Sequence, residues 1–169
     1  MDHFYRAMGW LGATVDTNTP RSFGKNSVSL YRKDLIEEHL FSLNHDLFSE
    51  LSLVFFDTTT LHFEGEGGIR IGQRGKSKDH RPDLKQMVVG MVLDDKGNPL
   101  CSELLPGNTA DVTSLIPVAK RLEERFGVER ICIVADRGMI STNTKSELES
   151  MGWLYILGAR LRKVKEIRD

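Results

Sequence analysis

Little in this sequence is present in excess, and the shortages exclude several functions. There are only two cysteines, Cys101 and Cys132, too few for a thiolate metal cluster. No apolar run approaches the ~18–20 residues that a transmembrane helix needs. The opening residues, Met1 to Ala7, are polar and aromatic and lack a signal-peptide core, so a cytoplasmic protein is expected. Neither sign of charge prevails. Lys and Arg number 23 against 24 Asp and Glu, a net charge of −1, which excludes a protein that holds nucleic acid by total charge alone. Internal repeats and low-complexity tracts are also missing. What remains is a chain of 169 residues, 40% hydrophobic and 28% charged, suited to one domain of ordinary size.

Periodicity divides the chain. Phe4 to Leu11 suits a short helix ending near Gly12, and Asp16 to Ser27 reads as a linker. Ile36, Leu40, Leu43 and Leu47 recur on one helix face, with Arg32, Lys33, Glu37 and Glu38 largely on the other, and Asn44-His45-Asp46 is a candidate break. At Leu51 the pattern turns β-prone and stays so to Phe63, which predicts one long strand with an acid, Asp57, in its middle. Glu64 to Asp83 is a Gly-rich, charged loop. Lys85 to Leu93 and Leu100 to Leu105 are strands joined as a hairpin by Asp94-Asp95-Lys96-Gly97-Asn98-Pro99. Leu115, Val118, Ala119, Leu122 and Phe126 mark an amphipathic helix ending at Gly127, with Thr113 or Ser114 as N-cap and Pro117 in the first turn. A fourth strand, Arg130 to Ala135, reads as buried on both faces, with Cys132 a small buried hydrophobe. A helix with Thr144 and Glu147 at capping-box spacing, a fifth strand from Trp153 to Leu157 and a charged tail complete the chain. Trp10 and Trp153 are expected in the core. Three strands in a meander, followed by strands alternating with helices, predict a mixed α/β sheet with an N-terminal helical extension.

Two aspartates stand out by context. Asp57 follows Leu53-Val54-Phe55-Phe56, and Asp136 follows Ile131-Cys132-Ile133-Val134-Ala135. A carboxylate at the end of a buried strand is costly to desolvate unless it is paired or bound to metal. If the first and fourth strands are neighbours, ~4.8 Å apart, the two carboxylates converge and a divalent cation relieves their repulsion. Between Ile69 and Lys85, the basic residues Arg70, Arg74, Lys76, Lys78, Arg81 and Lys85 outnumber Asp79 and Asp83, which suits DNA phosphates. Gly75-Lys76-Ser77 is not a P-loop, because the first required glycine would fall at Arg70. Gly65, Gly67 and Gly68 miss the dinucleotide pattern. Asn108, Thr109 and Asp111 read as turn and capping residues. His45, His62 and His80 lack ligand spacing, and alternation puts His62 on the opposite side of its strand from Asp57.

Leu53-Val54-Phe55-Phe56-Asp57-Thr58-Thr59, Ser77-Lys78-Asp79-His80-Arg81-Pro82-Asp83-Leu84, Pro106-Gly107-Asn108-Thr109-Ala110-Asp111 and Val134-Ala135-Asp136-Arg137-Gly138 together resemble bacterial insertion-sequence DDE transposases with a ribonuclease H-like catalytic core. The resemblance runs from about Tyr31 to Arg168. It implies a ribonuclease H-like five-stranded mixed sheet with flanking helices, with residues 1–50 as an N-terminal helical region and 51–169 as a partial catalytic domain. It implies DNA cleavage and strand transfer at transposon ends and in target DNA, two Mg²⁺ or Mn²⁺ ions in the complete enzyme, and a homodimer. Asp57 matches the first catalytic, metal-holding acid and Asp136 the second. The third, a Glu on a later helix, has no matching context, and Glu166 is the only acid nearby besides terminal Asp169. The expectation is therefore a chain incomplete at its C-terminal end, a gene fragment or a shortened version. A compact ribonuclease H-like nuclease using Glu166 and a non-catalytic DNA-binding remnant are the other two readings.

Overall fold

The computed structural model describes residues 2–15, 30–44, 51–65, 71–76, 81–128 and 131–158. The expected linker, Leu47 and the charged tail lie outside the described residues. The elements run α1 (Asp2–Leu11), α2 (Arg32–Asn44), β1 (Leu53–His62), β2 (Gln86–Leu93), β3 (Pro99–Pro106), α3 (Asp111–Phe126), β4 (Cys132–Ala135), a short 3-10 turn (Arg137–Met139), α4 (Thr142–Ser150) and β5 (Leu154–Leu157). One five-stranded sheet has the order β3-β2-β1-β4-β5. The pairs β1–β2 and β2–β3 are antiparallel, and β1–β4 and β4–β5 are parallel. This is the mixed five-stranded sheet with flanking helices that the element order and the resemblance predict.

The core lies on one face of this sheet. Val54 and Phe56 of β1, Val92 of β2 and Ile133 and Ala135 of β4 meet Leu115, Val118, Ala119 and Leu122 of α3, with Leu148 of α4 and Trp153 closing the end. Each of the Val, Leu, Ile and Phe side chains among these contributes on the order of 1.5–3 kcal/mol by leaving water. On the other face Phe55, Met91, Leu104, Leu154 and Ile156 are exposed. β4 is accordingly half-covered rather than buried on both sides, and Cys132 is only partly buried. Cys101 is the buried thiol, and burial pushes its pKa up to about 12.

Two helix starts differ from expectation. α3 begins at Asp111, with Ala110 as the N-cap residue. Thr113 and Ser114 lie inside the first turn, where their hydroxyls donate back to the carbonyls of Ala110 and Asp111. Pro117 therefore sits in the second turn, where it removes one backbone donor. In α4 the cap is Ser141, whose Oγ accepts from the Thr144 amide at 2.9 Å. In α4 the start shifts because Ser141 and Thr144 both carry hydroxyls three residues apart, and in α3 because Thr113 and Ser114 bond back to carbonyls and do not cap. Trp10 is exposed, with the Arg32 guanidinium 4.9 Å from its ring centroid, whereas Trp153 is buried as expected.

The main correction concerns α2, which packs with its charged side inward. Ile36, Leu40 and Leu43 are 37%, 52% and 67% exposed, and Asp34 is fully buried. The reason is the neighbour. β3 is an edge strand whose outward backbone groups need polar partners. Lys33 Nζ donates to the Ser102 carbonyl at 2.7 Å, and Glu37 Oε1 accepts from the Ser102 amide at 3.1 Å. Arg125 of α3 reaches into the same seam with a side chain that is 0% exposed. It donates to Glu37 Oε2 at 2.8 Å, to the Asp34 carbonyl at 2.9 Å and to Glu38 Oε1 at 3.2 Å. Arg121 bonds Glu103 at 2.8 Å beside it.

Burial pushes the Asp34 carboxyl up. The Lys33 ammonium, the Tyr31 amide and the Arg125 guanidinium overcome that and hold it below the ordinary Asp value. At Glu103 burial prevails over Arg121, Lys33 and Arg125, and its carboxyl is raised.

Arg125→Ala should cost about 3–5 kcal/mol in equilibrium urea unfolding, because Asp34 and Glu103 would be left buried beside an emptied cation site. A depressed pKa contributes stability above the unfolded value and loses it as pH falls through the folded one. The penalty of Asp34→Asn should therefore be full at neutral pH and shrink once pH drops through and below the ordinary Asp range, as the wild-type carboxyl takes up its proton.

Candidate active site

Strand alternation sets the first acid. Val54, Phe56, Thr58 and Thr60 point into the core, which leaves Phe55, Asp57, Thr59 and Leu61 on the open face. β4 carries the second acid. It runs Cys132-Ile133-Val134-Ala135, after which Asp136 stays extended and the chain turns through Arg137–Met139 with Met139 plugged into the core. β1 and β4 pair in parallel, with Phe55 opposite Val134 and Phe56 opposite Ala135. Asp57 and Asp136 are the next residues on the two adjacent strands. Both are exposed. Desolvation is therefore not what pairs them, contrary to expectation: the two acids stand beside an open sheet face rather than in a dry interior. On its other side Asp57 pairs with Met91 of β2.

The Asp57 carboxylate is not loose. Its Oδ1 accepts from the Thr58 amide at 2.7 Å. The Thr58 side chain, on the core face, donates to Asp111 Oδ1 at 2.8 Å. Asp111, read from sequence as a capping residue, is thus tied to the strand of the first acid. The sequence signal that could have found it is a buried Thr next to a candidate acid, which needs an acceptor from a neighbouring element. Its Oδ2 lies 3.3 Å from the point where a Cβ on Gly138 would sit, and Asp136 Oδ2 lies 3.7 Å from the same point. Oxygen donors of this kind suit hard divalent cations, and their exposure leaves room for the waters such ions retain. Among the described residues, no three His, Cys, Asp or Glu side chains come together as a metal-binding group.

Part of the charged loop is built structure. Gln73 and Gln86 exchange backbone hydrogen bonds at 3.0 and 2.9 Å, and the Gly107 amide donates to the Ile71 carbonyl at 3.0 Å. The buried Gln86 side chain donates from Nε2 to the Gly107 carbonyl at 2.8 Å. Glycine is required at the crossing, since a Cβ on Gly75 would overlap the Gly107 carbonyl and one on Gly107 would overlap the carbonyls of Gln86 and Gln73. This strap, residues 71–76, holds out Arg74 and Lys76, both exposed. Arg81 is exposed too, but engages Asp83 through two bonds of 3.0 and 2.9 Å. Arg70, Lys78, His45, His80 and Glu166 lie outside the described residues. His62 is half-buried on the face opposite Asp57, as alternation requires.

With this geometry in view, residues 49–168 match the family described as Transposase DDE domain. The match spans more than half of the sequence, and the chain belongs to that family. No curated protein matches it. Among solved structures it is similar to the Mos1 transposase paired-end complex with left transposon end, at 18% identity and a TM-score of 0.42, over 91% of this chain and 48% of that one. It is similar to the catalytic domain of Mos1 mariner transposase at 15% identity and a TM-score of 0.42, over 89% of this chain and 66% of that one. A Mos1 mariner paired-end complex with Mn is similar at 17% identity and a TM-score of 0.40, over 91% and 48%. The chain thus spans about half the length of the Mos1 paired-end complex chains.

Gly107→Ala should detach the strap from β2. We expect a loss of about 1–3 kcal/mol from forced backbone displacement, together with faster amide hydrogen exchange at Gln73 and Gln86, read by NMR.

Proposed function

We propose that this chain supplies the catalytic strands of a bacterial insertion-sequence DDE transposase. In that role it takes part in metal-dependent cleavage of DNA at transposon ends and transfer of the freed 3′-hydroxyl to target DNA. The observation that carries this reading is the parallel β1–β4 register, in which Asp57 and Asp136 directly follow the matched pair Phe56 and Ala135, within a sequence that belongs to the transposase DDE family. Asp57 and Asp136 are the residues that would hold Mg²⁺ or Mn²⁺, two ions in the complete enzyme. Bound ions of this kind activate the attacking oxygen and stabilise the leaving one.

The protein's own contribution is positional. Two adjacent strands set the aspartates side by side, and the Thr58 amide fixes the orientation of one of them. A third carboxylate comes from outside the described residues. Without it in place, the two aspartates hold a cation loosely and cleavage is slow, since a misplacement of about 1 Å in the reacting groups costs on the order of 10²-fold. Arg74 and Lys76, together with Arg70, Lys78 and Arg81, bind DNA phosphates, and at Arg81 a phosphate competes with the Asp83 carboxylate. In keeping with the family resemblance, the complete enzyme acts as a homodimer in the cytoplasm. No described helix is long and apolar enough to cross a membrane.

Mn²⁺ titration of the purified chain, followed by the paramagnetic resonance of the free ion, should show weak binding that disappears in Asp57→Asn and in Asp136→Asn. In DNA binding, the joint replacement of Arg74 and Lys76 by Ala should flatten the salt dependence of the affinity by about two units of slope, close to one for each phosphate that is no longer neutralised. DNA binding with no metal dependence, and Mn²⁺ binding indifferent to both aspartates, would leave only a DNA-binding remnant. Robust metal-dependent nicking of DNA that disappears in Glu166→Gln would favour the compact nuclease.

A further inference from the structure

We infer that Asp111 is a positioning residue for the two aspartates, acting through Thr58 on the first and through the turn at Gly138 on the second; this rests on the reading of Asp57 and Asp136 as cation ligands. Thr58 is the link on the first side. It is 4% exposed, and a hydroxyl so buried requires a partner. Asp111 Oδ1 provides it at 2.8 Å, while the amide of the same Thr58 holds Asp57 Oδ1 at 2.7 Å. Whatever fixes the Thr58 side chain therefore fixes the peptide that orients Asp57.

On the second side, the Oδ2 atoms of Asp111 and Asp136 flank the same point, the missing Cβ of Gly138. Glycine leaves the space that lets the first turn of α3 approach the turn bearing Asp136. Asp111 itself stands on a rigid support. It is the first residue of the 16-residue α3, whose Leu115, Val118 and Leu122 are buried, and a carboxylate at a helix N-terminus is favoured by the helix dipole. Asp111 is thus bonded to one and lies against the other of the two chain segments that must stay in register for Asp57 and Asp136 to serve one ion. Groups that orient metal ligands in this way are worth roughly 10–100-fold in metal affinity.

The test uses the whole chain and Mn²⁺ alone. Thr58→Val and Asp111→Ala should each weaken Mn²⁺ binding by roughly tenfold. The double variant should be no weaker than the worse single one, because the two residues act as one unit. Thr58→Ser, which keeps the hydroxyl, should bind like wild type. All are measured well below their unfolding temperatures by circular dichroism, so that a merely structural role would move the melting point and leave the affinity unchanged. Thr58→Val closely preserves shape, and it decides the matter if Asp111→Ala does not fold. Unchanged Mn²⁺ affinity in Thr58→Val, in a protein where Asp57→Asn has abolished binding, overturns the role of Asp111 and leaves the metal reading intact. If wild type does not bind Mn²⁺, or Asp57→Asn and Asp136→Asn bind as wild type does, both fall together.

Discussion

A buried guanidinium lies at the centre of the contact between α2 and the rest of the fold. Arg125 enters from α3 and bonds three residues of α2, with Glu103 of β3 at 3.4 Å on its remaining side. Removing a charge of this kind from water is expensive, and the cost is met only when its hydrogen-bonding positions are occupied. The requirement shapes its surroundings: α2 must present Asp34, Glu37 and Glu38 inward, and its leucines consequently face outward. The same inward face satisfies the backbone of Ser102 on the edge of the sheet. Covering a sheet edge with side-chain donors and acceptors also blocks strand addition from another molecule.

The sheet is legible in the sequence because strands obey local rules. Period-two alternation, the hairpin signal at Asp94–Pro99 and the two apolar runs ending in aspartate are sufficient to anticipate five strands and to pair the first with the fourth. α2 departs from its sequence pattern for the opposite reason. Its apolar stripe is genuine, but the surface that receives the helix is a polar strand edge, and no property of the helix sequence announces that. Asp111 and the strap at 71–76 are hidden for a related reason: a capping aspartate and a glycine-rich loop look the same whether or not another segment passes within hydrogen-bonding distance. The two aspartates are conspicuous in the sequence as acids at the ends of buried strands, yet both side chains are exposed, and what joins them is register.

Under the proposed cation-holding role, that exposure has chemical sense. A divalent ion with oxygen ligands keeps much of its water, and a large substrate must reach it from outside. Asp57, on the open side of a rigid sheet, meets both conditions, whereas an acid inside the α3-covered core would compete with packing. The protein divides the labour by face: one side of β1 contributes stability through Val54 and Phe56, and the other presents Asp57.

The seam between α2 and β3 is built from charge rather than apolar area, and this gives it an unusual thermal character. Exposing apolar surface raises the heat capacity of unfolding, while exposing polar surface lowers it. Release of α2 alone would uncover carboxylates, guanidinium groups and an ammonium together with the Phe41–Phe126 ring contact, and so would raise the heat capacity less, for the area exposed, than opening the sheet core. The sheet and α3 unfold with the ordinary positive increment. Hydration of charged groups becomes less favourable on warming, while apolar attraction fades on cooling. Warming therefore lowers the desolvation cost that the clamp carries, and cooling takes away the attraction that holds the core, so the two parts of one small protein answer to temperature by different rules.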